Sequence, residues 1–77
     1  MNIPKCGKEK YILIFSDKNS GVILNLDGSY YTNEGDNFYQ VFDNINEAKE
    51  KAREKMNDDL EILLYDGQGV FIELFKT

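Results

Sequence analysis

Histidine is absent from this chain, cysteine and proline each occur once, and the longest uninterrupted apolar run is the five residues from Tyr11 to Phe15. Each shortage bears on function. A catalytic cysteine needs a base to make its thiolate, commonly histidine. Without one, no nucleophile–base pair can be assembled, and the chain does not read as an enzyme. A single cysteine cannot close an internal disulfide. It also suits a reducing compartment better than secretion. A run of five falls far short of the roughly 20 apolar residues that cross a bilayer. The start, Met1-Asn2-Ile3-Pro4-Lys5-Cys6-Gly7-Lys8, has no apolar core of the signal-peptide kind. The expectation is a soluble cytoplasmic protein.

What is present is short and acidic. Seventy-seven residues make one domain. Such a chain buries only about 60–65% of its unfolded surface, with a stability of about 4–12 kcal/mol. The formal net charge is −5 and the isoelectric point about 4.5. Phosphate backbones repel such a protein unless its cations cluster. Lys5, Lys8 and Lys10 form a basic arm. Lys49, Lys51, Arg53 and Lys55 share one predicted helix, but Glu47, Glu50 and Glu54 nearly neutralise it. The remaining acids gather in loops, where solubilising charge is ordinary. A surface for a basic partner is the sharper alternative.

Residues 1–9 read as a flexible arm and residues 10–77 as the domain. Tyr11 to Phe15 is a strand, rich in β-branched and aromatic side chains. Asp17 to Gly21 is a turn cluster, and Val22 to Leu26 is the returning strand. Asp27-Gly28 predicts a two-residue type I′ turn, which needs positive φ. Ser29 to Thr32 and Phe38 to Phe42 are extended, either as one strand broken at Asn33–Asn37 or as two. Asn44 is a fitting N-cap with Glu47 three residues on. Ile45, Ala48, Ala52 and Met56 then mark one helical face. Two alanines on that stripe imply close packing. Glu47 and Lys51 have favourable i,i+4 spacing, and Asn57 can take a left-handed C-terminal position. Leu60 to Tyr65 and Val70 to Phe75 are strands joined by the Asp66–Gly69 hairpin.

The fold class that follows is α+β, a mostly antiparallel sheet of four or five strands in the order β-β-β-α-β-β, with one helix packed on one face. Alternation in the last strand puts Val70, Ile72 and Leu74 on one side and Phe71, Glu73 and Phe75 on the other. The aliphatic set suits the helix. Phe71 and Phe75 then join Leu63 and Tyr65 on the opposite face. The first strand is apolar on both sides too. One helix cannot cover both faces, so the 27–37 loop, a second copy or a partner must.

Several candidate sites dissolve under inspection. Cys6 has no base. Asn25, Asp27, Gly28, Ser29 and Glu34 follow part of a calcium-loop spacing, but Ile23 would hold the first ligand position and the flanks are strands. Asp17, Asn19 and Gly21 are explained by turn chemistry. Gly67-x-Gly69 is a hairpin, with no helix following to make a phosphate loop. The acid pairs Asp58/Asp59 and Glu34/Asp36 sit outside the apolar runs that would shift their pKa. Tyr30, Tyr31, Phe38, Tyr39, Tyr65, Phe71 and Phe75 could stack nucleic-acid bases, but that mode needs a positive groove. A protein interface uses the same residues without that conflict.

The run Phe42-Asp43-x-x-x-Glu47-Ala48-x-x-x-Ala52, followed by Glu61-Ile62-x-x-Tyr65-Asp66, resembles many small bacterial domains. The shared features are helix-start and hairpin grammar, which recur in unrelated families and assign no site. The functional expectation is a non-enzymatic protein-interaction module, either a homodimer or an acidic inhibitor or immunity-type protein. Its surface would carry Leu63, Tyr65, Phe71 and Phe75. Regulation of a nucleic-acid-binding protein or enzyme is the alternative. Its mark would be convergence of the arm and helix cations on one side. No cofactor, metal, nucleic acid or membrane is expected as a partner.

Overall fold

The computed structural model describes residues 3–32 and 37–77. Of the expected chain break at Asn33–Asn37, residues 33–36 lie outside the described residues. The elements are β1 (Tyr11–Asp17), β2 (Ile23–Leu24), β3 (Tyr39–Phe42), α1 (Ile45–Lys55), β4 (Leu60–Asp66) and β5 (Phe71–Phe75). They form one antiparallel five-stranded sheet with one helix, the expected α+β class.

β1 is the central strand. β4 pairs with it along its whole length, from Tyr11↔Asp66 to Asp17↔Leu60. Its other edge is shared end to end. β3 takes Tyr11 to Ile14, and β2 takes Phe15 and Ser16. The two extended pieces of the middle segment are therefore separate. Among the described residues, Tyr30 makes an isolated bridge with Leu24, and β3 begins at Tyr39.

Two hairpins close in the same way. Asn25 donates its N–H to Ser29 O and accepts from Gly28 N, at 2.7 and 2.9 Å. Asp66 donates to Val70 O and accepts from Gly69 N, at 2.9 and 3.0 Å. Each is a three-residue loop whose third residue is a glycine at positive φ, Gly28 at 93° and Gly69 at 86°. This corrects the type I′ expectation for Asp27-Gly28. A type I turn followed by a left-handed residue needs positive φ only at the glycine, and Asp27 is not at positive φ.

The helix begins as expected, with Asn44 Oδ1 accepting from Asn46 N and Glu47 N. It ends at Lys55. Met56 leaves the helix in an extended conformation (ψ 134°), and Asn57 is not left-handed. Asn57 instead accepts from Asp59 N through its side chain at 2.7 Å and starts the turn into β4. Lys51 pairs with Glu54 at 3.6 Å.

The sheet has a core on each face. On the helix face, Ala48 and Ala52 are fully buried against Leu13, Ile62, Leu64 and Phe75. A methyl-sized side chain at those two positions lets the helix backbone approach the sheet, as the alanine stripe implies. On the far face, Ile12 and Ile14 are buried with Phe38. Burying each such aliphatic or aromatic side chain contributes about 1.5–3 kcal/mol.

The far-face core is roofed from two directions. Tyr31 comes from the 25–38 excursion, and Ile3 and Cys6 from the N-terminal segment. Residues 3–7 lie against the β4–β5 hairpin. Cys6 and Gly7 both donate their N–H to Gly67 O, at 2.7 and 3.2 Å. Gly67 is buried, and a Cβ there would collide with the Gly7 carbonyl. Absence of a side chain at Gly67 is what lets the two backbones touch.

Candidate interaction surface

The surface of interest is a part of the far face that this roof leaves uncovered. It is built on β4 and β5. Leu63 pairs with Leu74, and Tyr65 with Phe71. The Tyr65 and Phe71 rings meet edge to face at 5.7 Å between centroids, a favoured aromatic geometry. Tyr65 also packs on the Ile12–Ile14 core, so the exposed part is continuous with the covered one.

A β-bulge decides which side chains lie there. The register passes from Leu64↔Glu73 directly to Tyr65↔Phe71. Ile72 is the extra residue. One extra residue reverses the alternation of everything beyond it. Phe75 therefore pairs with Ile62 and points into the helix-side core, 5% exposed. Glu73 shares that face and reaches Lys49 of the helix at 3.6 Å.

Of the four residues expected on this surface, Leu63, Tyr65 and Phe71 are brought together and Phe75 is not. Nor does the helix rest on Val70, Ile72 and Leu74. These are 59%, 38% and 39% exposed, and Leu74 lies beside Leu63 on the far face. Leu74 is the residue that strict alternation misses. Phe71, 51% exposed, completes the group. Among the described residues no strand lies beside the outer edge of β5. Short length, a bulge and a charged residue, all present here, are common means of blunting such an edge.

The other candidates are held in local structure. Asp17 accepts from Asn19 N and Ser20 Oγ, and from Tyr30 Oη across the hairpin. Those bonds hold its carboxyl below the usual range, the Asn19 N–H foremost. Asp27 is lowered likewise by the hydroxyl and N–H of Ser29. Asn25 donates to Ser29 Oγ and Tyr30 O. Four of the calcium-spacing residues thus serve their own hairpin, and Glu34 lies outside the described residues, as does the Glu34/Asp36 pair. Asp58 accepts from Thr77 Oγ1 at 3.0 Å. Cys6 is a free, half-buried thiol. Among the described residues no three acidic or sulfur side chains converge as metal ligands.

The cations divide between the two faces. Those of the helix lie on the near side, Lys49 with Glu73 and Lys51 with Glu54. The N-terminal segment packs on the far side. Lys10, at its end, pairs with Asp43, which raises its pKa. Among the described residues no helix is long and apolar enough to cross a membrane. Comparison of the chain with protein-family models, with curated proteins and with solved structures gave no match.

Proposed function

We propose that this is a small non-enzymatic interaction module of the cytoplasm, binding another protein or a second copy of itself through the far face of β4 and β5. The observation that carries this reading is the exposure of Phe71 and Leu74 on the far face of β5, with the bulged Ile72 exposed between them. Contiguous apolar surface of this kind marks interaction sites on monomeric folds. Its make-up supports the reading. Phe71 is an aromatic anchor backed by the half-buried Tyr65 ring, the sort of residue that dominates interface energetics. The separation of the helix cations from the N-terminal lysines gives no support to a nucleic-acid role.

The test is Phe71→Ser combined with Leu74→Ser. The double variant should keep its fold and lose self-association, measured by sedimentation, or lose binding to the partner that the parent retains. A parent that stays monomeric, retains no protein, and differs from the variant in neither respect would remove the proposal.

A further inference from the structure

On the helix side, remote from that surface, a groove of about 330 Å³ opens between the C-terminal half of α1 and the β2–β3 edge. Its floor is apolar, formed by Phe15, Leu24 and Leu60, and its wall is formed by Lys51 and Lys55 with Gln40 beside them. Phe15 and Leu24 are a cross-strand pair, so the floor is part of the sheet rather than of a loop. Lys51 and Lys55 are one helical turn apart and so share a face.

We infer that this groove binds a small organic carboxylate, with its apolar body on Phe15, Leu24 and Leu60 and its carboxylate at Lys51 and Lys55. Charge decides the class. The protein carries a net charge of −5, yet among the described residues lining the groove the ionisable ones are both lysines. A cationic wall above an apolar floor selects against neutral and cationic ligands of the same shape. The helix C-terminus brings a partial negative charge nearby, about half a unit, against two full positive ones. Lys51 is engaged by Glu54 at 3.6 Å, but the Glu54 side chain is 66% exposed. Such a surface pair contributes little and gives way to a better-buried carboxylate. The volume lies at the small end of the range for ligand pockets, about 300–1,000 Å³. It suits a short-chain monocarboxylate rather than a nucleotide or a folded partner.

The experiment is an amide-shift titration of the intact chain with hexanoate, hexanamide and inorganic phosphate as separate probes. Hexanoate should shift the amides of Phe15, Leu24, Lys51 and Lys55 saturably in the millimolar range. Hexanamide and phosphate should leave them unsaturated. Lys51→Gln with Lys55→Gln should weaken hexanoate about tenfold, as expected for loss of charge-assisted contacts, while the β4 and β5 amides stay in place to show an intact fold. Lys51→Arg with Lys55→Arg should keep the affinity. No saturation with hexanoate, equal binding of hexanamide or phosphate, or unchanged affinity in the glutamine variant would each overturn the inference.

Discussion

Phe71 and Phe75, four residues apart on β5, lie on opposite faces of the sheet: Phe71 stacks edge-on against Tyr65, and Phe75 is buried beneath the helix with Ile62. Ideal alternation puts residues four apart on the same face. The unpaired Ile72 breaks that rule.

The two phenylalanines should therefore respond differently to truncation. Phe75→Ala should destabilise by about 3–5 kcal/mol, the usual cost of emptying a buried aromatic site. Phe71→Ala should cost about 1 kcal/mol, chiefly its ring contact with Tyr65. Chemical denaturation of both variants distinguishes them. Equal losses would mean that the bulge is misplaced.

Ala52 is fully buried where the helix meets the sheet. Ala52→Phe should destabilise by about 1–3 kcal/mol through overpacking. A variant that melts like the parent would show that this helix face does not touch the sheet.

Gly67→Ala should loosen the N-terminal segment, because the new Cβ would occupy the place of the Gly7 carbonyl. The backbone shift should cost about 1–3 kcal/mol. Cys6, which donates its N–H to Gly67 O, reports on the change directly. Its half-buried thiol should react faster with a disulfide reagent in the variant than in the parent. Equal labelling rates would show that the Gly67 contact does not hold the segment down.

Asp17 and Asp27 give the stability an acid limb. Both carboxyls are lowered by hydrogen bonds in their own turns. The folded state therefore takes up a proton at lower pH than the unfolded chain, whose aspartates titrate near pH 3.9. The stabilisation is complete above that value and is lost as pH falls through the depressed folded values. Asp17→Asn with Asp27→Asn should lower stability at neutral pH and flatten its fall below about pH 4. Melting curves from pH 2 to pH 7 would show an unchanged acid limb if these bonds contribute nothing.

The sequence by itself determined the local elements and their order. Asn44 and the stripe of Ile45, Ala48, Ala52 and Met56 specify a helix, because capping and the 3.6-residue period act within a few residues. The glycines of the two hairpins mark where the chain turns back, because they alone relieve the steric cost of positive φ. The double-sided apolarity of Tyr11 to Phe15 announced a central strand with two faces to cover, and both are covered. Only the tertiary structure decided the rest. Whether Ser29–Thr32 and Phe38–Phe42 form one strand depends on how β2 and β3 divide an edge of β1, a pairing between distant residues. The bulge at Ile72 lies in an unbroken apolar run, Val70-Phe71-Ile72, where alternation carries no polar residue to mark the slip. That single displaced residue moved Phe75 out of the candidate surface and brought Leu74 in. The roof of the far face was equally out of reach, since it depends on a backbone contact between Gly7 and Gly67, sixty residues apart.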